Sequence, residues 1–319
     1  MSKYSQKPLE FTGLRTVGID ERGGKVKLAD FASVYQKGSG IAGWLESLPH
    51  LLAGDSFRAV VEAIAAARAK KRAIIWGLGG HVIKCGLTPV LIDLMKRGYA
   101  TAFALNGSSS IHDFELAIAG HTSEDVEAVL PDGRFGAAEE TGRFMNEAII
   151  AGAREELGMG EALGKWLSIS ARGSRTHCLL AQAFKHAIPV TVHVAIGTDT
   201  PHTHPAADAA AIGSATHRDF RLFAACVTGL HDGGVYINVG SAVVLPEVFL
   251  KAVSAVRNLG HPLAGFTTVN CDFLQHYRPR VNVVERPHAG GAGGRGYAIT
   301  GHHELMIPLL AAALIEKDA

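Results

Sequence analysis

Two short stretches of this chain place imidazoles beside carboxylates. In "NGSSSIHDFELA" (106–117), His112 is followed directly by Asp113. Imidazole is the side chain best suited to exchange a proton near neutral pH, and a carboxylate can orient it. The pair is therefore a candidate for general acid–base catalysis. A plainer reading makes Asp113 an N-terminal helix carboxylate and Ser110 a cap. In "HVAIGTDTPHTHP" (193–205), His193, Asp199, His202 and His204 lie within a strand exit and its loop. An H-x-H pair sets two imidazoles on one side of an extended chain, and a nearby carboxylate could complete a divalent-metal site. With 16 histidines in the chain, however, chance pairs are expected, the "GHH" at 301–303 being another. A polar loop lining a cofactor or substrate, with His202 or His204 as a base near Asp199, is the preferred reading, and no metal is assigned.

These residues need a frame. "AIIWGLG" (73–79) is a short apolar run ending in glycine, hence a buried strand, and "GLGGHVIKCG" (77–86) carries it into a helix. Gly77, Gly79 and Gly80 let a ligand approach the backbone, and the N–H groups that follow, from His81 and Val82 onward, suit an anion. The spacing is not G-x-G-x-x-G, because Val82 stands at the last position. "ATAFALN" (100–106) is the next strand, with Asn106 and Gly107 at its exit. A further strand ends in the corner "INVGSAVVLPEVFLKAV" (237–253), where Gly240 and Ser241, candidate cofactor contacts, precede a helix begun by Pro246 and Glu247. Helical periodicity covers 59–71, 87–98, 111–120, 176–187 and a long region from 137 to 167 broken near 158–160. Further strands are expected at 190–196 and 264–270. "HAGGAGGRGYAITGHHE" (288–304) reads as a loop that wraps a phosphate or adenine, or crosses a subunit interface. Near-continuous apolar strands alternating with helices predict an α/β, doubly wound, mostly parallel sheet with helices on both faces. Residues 51–319 form one such domain in this reading, and residues 1–50 an irregular arm that packs on a neighbouring subunit.

Composition excludes some functions. Lys plus Arg total 31 against 30 for Asp plus Glu, so no basic surface for nucleic acid is expected. Charged residues make up only 19%, and such a chain hides much of its surface in a core or in subunit contacts, which favours a homo-oligomer. The longest late apolar stretch, "LMIPLLAAALI", is too short to cross a bilayer. Four widely spaced cysteines without C-x-x-C, and an N-terminus without an apolar run, fit reduced thiols in a cytoplasmic protein.

Four segments, in order, resemble the deoxyhypusine synthase family. "GLGGHVIKCGLTPVLIDLMKRGY" looks like its first strand–turn–helix, G-x-T-S-N-L-I-S-S-G. "NGSSSIHDFELA" occupies the place of its T-T-x-G-x-x-x-x-D segment, "IPVTVHVAIGTD" that of I-P-V-x-x-P-A-L-T-D-G, and "VYINVGSAVVLPEVF" that of I-I-L-G-G-G-V-V-K-H-H. The resemblance covers roughly 70–275. It implies an NAD-binding fold, a homotetramer, and nicotinamide cofactor contacts at Gly79, Gly80, His81, Val82, Asn106, Gly107 and Asp199. It also places Leu245 where that family has its imine-forming lysine. Leucine has no amine, and neither Pro246 nor Glu247 replaces one, so deoxyhypusine synthase activity is rejected. The leading expectation is an NAD-binding enzyme acting on a small amine or alcohol, with His112 paired with Asp113, or His202 or His204 near Asp199, as base and Glu247 holding the amine or hydroxyl. The alternatives are a non-catalytic nucleotide-binding or sensory protein, and a metal-dependent hydrolase or lyase using the 193–204 histidines.

Overall fold

The computed structural model describes residues 2–170, 175–291 and 293–318. Six strands form one sheet: β1 (Ile74–Leu78), β2 (Ala102–Asn106), β3 (Val190–His193), β4 (Val235–Val239), β5 (Thr267–Asp272) and β6 (Arg295–Thr300). Their order is β3-β2-β1-β4-β5-β6, and every pairing is parallel. This is the doubly wound arrangement expected from the sequence, with its switch point between β1 and β4.

The helices before β3 are α1 (Gly40–Ser47), α2 (Leu52–Ala69), α3 (Gly80–Lys84), α4 (Thr88–Lys96), α5 (Gly107–Ala119) and the single turn α6 (Val126–Val129). They continue with α7 (Glu139–Arg154), α8 (Met159–Ile169) and α9 (Leu179–Lys185). The remainder are α10 (Ala209–Thr228), α11 (Val244–Asn258), the single turn α12 (Tyr277–Pro279) and α13 (His303–Ile315). Alternate residues of each strand point to opposite faces. Ile74, Trp76 and Leu78 join a core made with α2, α3, α4, α5, α9 and α13, while Ile75 and Tyr236 join one made with α10 and α11. β1 and β4 are buried throughout, as a parallel sheet covered on both faces requires.

Local chemistry sets the boundaries. Pro89 opens α4, and Gly98, at φ 80°, follows its end. α5 begins at Gly107 rather than near Ile111, because the Asn106 side chain accepts from Ser109 N at 2.9 Å and caps it. The helical region from 137 breaks, as expected, between α7 and α8. One expectation fails: the glycine-rich 288–304 segment is not a free loop, because β6 runs through it and pairs with β5. Ala292 in that segment lies outside the described residues. The arm differs from everything after it, since Tyr4, Leu9, Phe11, Leu14, Val17 and Ile19 are all exposed. From α1 onward the chain joins the core: Trp44 meets Phe57 edge-on at 5.9 Å, and Arg58 donates to the Leu45, Leu48 and Pro49 carbonyls.

Asp219, on α10, ties three elements together. Its Oδ2 accepts from Gly160 N at 2.9 Å in α8 and from Val192 N at 2.7 Å in β3. Burial pushes its carboxyl up to about 7 from 3.8. The folded state thus binds this proton more tightly than the unfolded chain. The group's contribution to stability is complete below about 4 and is lost as pH rises through about 7. Asp219→Asn, isosteric with the protonated acid, is expected to remove that pH dependence. Denaturant midpoints across this range, falling with pH in the wild type and flatter in the variant, check it.

Candidate functional site

The switch point is closed by glycine against glycine. Gly79 N donates to Val239 O at 2.8 Å, and a Cβ on Gly79 would lie 2.0 Å from Gly240 O. Gly240 itself has φ +66°, a left-handed conformation that favours glycine. Beyond this contact the chain turns in opposite directions, α3 packing on one face of the sheet and α11 on the other. The result is the crevice at the carboxyl ends of the strands where ligands bind in open α/β sheets.

The second turn abuts the first. A Cβ on Gly80 would lie 2.1 Å from Ser108 Oγ and 3.3 Å from His112 Cδ2. Ser109 Oγ donates to Leu78 O at 2.6 Å, fastening the start of α5 to the end of β1. The carboxylate of Asp199 lies against Gly107, within 2.3 Å of where a Cβ would be. Asp199 Oδ2, His202 Nδ1 and Asn146 Oδ1 are buried without hydrogen-bond partners, and their residues line one small cavity with Gly107. Burial pushes the Asp199 carboxyl up.

His112 stands between this crevice and a neighbouring cavity. Its Nδ1 is 2.7 Å from Thr122 Oγ1, which in turn is 2.5 Å from Glu115 Oε2. The hydroxyl has one proton, and it goes to the carboxylate. Nδ1 must therefore carry the imidazole proton, which leaves Nε2 as an acceptor. Burial pushes the His112 pKa down, so the ring is neutral. On the far side of Thr122 lies a cavity of about 390 Å³ lined by Glu115, Glu124 and Glu140.

His112 and Asp113 are not a pair. They point apart: Asp113 is buried and accepts from Leu179 N at 2.9 Å, Leu180 N at 2.8 Å and the Cys178 thiol at 3.1 Å. It holds the start of α9 instead; neither role read from the sequence fits, since it lies inside α5 rather than at that helix's N-terminus, and Ser110 Oγ donates to Gly107 O instead of capping. Gly77 lies inside β1, where a Cβ would meet the Tyr236 hydroxyl at 2.6 Å, so its small size serves packing against β4. The 193–204 histidines do not converge. His193 is buried in β3 beside Thr191 Oγ1 at 2.9 Å and Phe223, and burial pushes its pKa to about 3. His204 turns away to Glu139 Oε2 at 3.1 Å. Glu247 has its oxygens engaged by Lys251, Arg278 and Asn282, and those donors occupy the places an amine would take. Ser241 Oγ accepts from Leu245 N at 3.2 Å, a helix-start contact. Leu245 is fully buried with Phe249 in the core under α11.

A cluster at the other end of the crevice was not foreseen. His81 Nε2 is 3.2 Å from Cys85 Sγ, which is 3.7 Å from Glu304 Oε2. His303, at 1% exposure, has neither ring nitrogen hydrogen-bonded, and its Nε2 is 3.6 Å from Asp272 Oδ1. The sequence signal was the i,i+4 spacing of His81 and Cys85 in "GHVIKCG", which puts both on one side of a helical turn. Glu304 comes from far along the chain, where the turn from β6 into α13 sets "GHHE" against α3.

No family model matches this chain, and no curated protein does. Solved structures match its fold. A conserved putative LOR/SDH protein from Methanococcus maripaludis S2 shares 15% identity over 84% of this chain and 71% of that one, with a TM-score of 0.50. Unliganded AgrE shares 18% over 83% of this chain, with a TM-score of 0.52, and AgrE in a ternary complex with ornithine and NAD+ gives 15% and 0.50. The chain spans about a third of AgrE's length, 34%. A putative deoxyhypusine synthase from Entamoeba histolytica is matched at 12% identity over 89% of this chain and 96% of that one, with a TM-score of 0.49. The likenesses to the LOR/SDH protein and to AgrE establish a shared fold.

Asp113→Ala strips two buried amides and a thiol of their acceptor. It is expected to lower stability by about 3 kcal/mol, measured by chemical denaturation. Asp113→Asn should recover part of that loss, because it keeps one acceptor oxygen.

Proposed function

We propose that the chain binds NAD across the switch-point crevice and oxidises a small amine or alcohol, with His112 as the base. The observation that carries this reading is the His112 Nδ1–Thr122–Glu115 chain, which favours a proton on Nδ1 and an acceptor Nε2 on a ring lying against Gly80. The residues suit a dinucleotide. The Gly79–Gly80 and Gly107–Ser108 turns admit close backbone approach, and the unpartnered Asp199 Oδ2 is an acceptor for a ribose hydroxyl. The fold likeness to AgrE, solved with NAD+ and ornithine, supports the same reading.

Bound NAD would supply the hydride acceptor, and the protein needs no nucleophile of its own. His112 Nε2 takes the proton from the substrate's hydroxyl or amine as its carbon loses hydride. Glu115, through Thr122, stabilises the imidazolium that results. The three carboxylates lining the adjoining cavity favour a substrate with an ammonium group. His112→Ala is expected to retain NAD binding within a few-fold while NADH formation, screened over small amines and alcohols, drops by about 10²–10⁴. Thr122→Val should lower turnover less and move its acidic pH limb, because the ring's proton is no longer fixed. Turnover unaffected in His112→Ala would contradict the assignment, and absence of NAD binding in the wild type would remove the cofactor.

A further inference from the structure

The exposed end of the crevice holds His81, Cys85 and Glu304, whose ligand atoms lie within 4.8 Å of one another; among the described residues no other group of His, Cys, Asp and Glu brings three together in this way. We propose that they bind one divalent ion of the zinc class, with the fourth position open. A tetrahedral zinc with bonds of about 2.3 Å to sulfur and about 2.1 Å to nitrogen or oxygen sets its sulfur about 3.6 Å from each of the others. The observed separations, 3.2 Å to His81 Nε2 and 3.7 Å to Glu304 Oε2, bracket that value. One imidazole, one thiolate and one carboxylate form a borderline-soft donor set that suits zinc better than magnesium or calcium.

A second observation points to the same place. His303 adjoins Glu304 and is almost fully buried with both ring nitrogens unpartnered, and its ring centroid is 5.6 Å from that of His81. Buried polar groups are ordinarily hydrogen-bonded, and this ring has only the Asp272 carboxylate, 3.6 Å from Nε2, and the Cys271 backbone near it, so it has room for a further partner. A ligand in the open position, or the water it displaces, supplies one. Phe273 packs against His81, His302 and His303 at 6.0–6.2 Å and forms an apolar wall along this side. His81 and Glu304 are exposed, so an ion has a route in. Three protein ligands with one position open is the form of a catalytic rather than a structural zinc site. The ligand it would take is a small oxygen or nitrogen donor at the ends of β1 and β6. The site borders the first turn of the NAD reading, since His81 follows Gly80, but its test contains no NAD.

Cobalt(II) titrated into the full-length protein reports thiolate coordination directly, through a sulfur-to-cobalt charge-transfer absorption. One equivalent per chain is expected, displaced by zinc. Cys85→Ser should abolish the band, and Glu304→Gln, on an exposed side chain, should weaken binding at least tenfold while keeping it. Cys226→Ser, a thiol elsewhere on α10, should change nothing. Folding of each variant is followed by circular dichroism, and Glu304→Gln keeps the test decisive should Cys85→Ser not fold. No charge-transfer band in the wild type, or an unchanged affinity in Glu304→Gln, would overturn the assignment.

Discussion

The close approach of Gly79 to Gly240 is the contact on which the remaining site geometry depends. At 2.0 Å from a carbonyl oxygen, no Cβ fits there, so β1 and β4 stay paired to their last residues. Only then do α3 and α11 leave on opposite faces and open a crevice between them. The same constraint repeats one strand over, where Gly80 and Ser108 interlock and bring His112 to the edge of the first turn. A substitution at either glycine would move two strand exits together with every side chain they carry.

The acidic residues around this frame divide by burial. Asp113 and Asp219 are sealed in the core and hold amides of α9, α8 and β3; burial pushes their carboxyls above the usual range, and the amides they hold offset only part of that rise. Glu115 is partly exposed and acts through Thr122 on an imidazole. Asp199 lies between these cases, buried against Gly107 with one oxygen unpartnered. Carboxylates that read alike in the sequence thus differ in kind: one pair holds backbone amides, one accepts from a hydroxyl beside an imidazole, and one is buried with an oxygen unpartnered.

Much of the fold was legible in the sequence. The apolar runs at 74–78 and 235–239, the Pro89 and Gly98 boundaries and the break between α7 and α8 all follow from local chemistry. β6 was hidden because its strand, "RGYAIT", is flanked by glycines and half-exposed at a sheet edge, so it lacks the buried apolar signature of the other strands. The site was less legible. Adjacent residues on a helix point about 100° apart, so His112 and Asp113 could not share a face, and their adjacency misled where i,i+3 spacing to Glu115 would have served. The 193–204 cluster failed for a related reason, since His193 ends inside the sheet and His204 reaches α7. The His81–Cys85–Glu304 grouping needed long-range topology that no local pattern carries.

The central claim is that a dinucleotide occupies the crevice formed by the two glycine turns. Hydrogen exchange of the full chain, read by mass spectrometry with and without NAD, tests it most directly. Slowed exchange is expected in the peptides spanning 79–82 and 107–112, together with those around Asp199. Unchanged exchange in both turns, or protection confined to the acidic cavity beside Glu124 and Glu140, would contradict it.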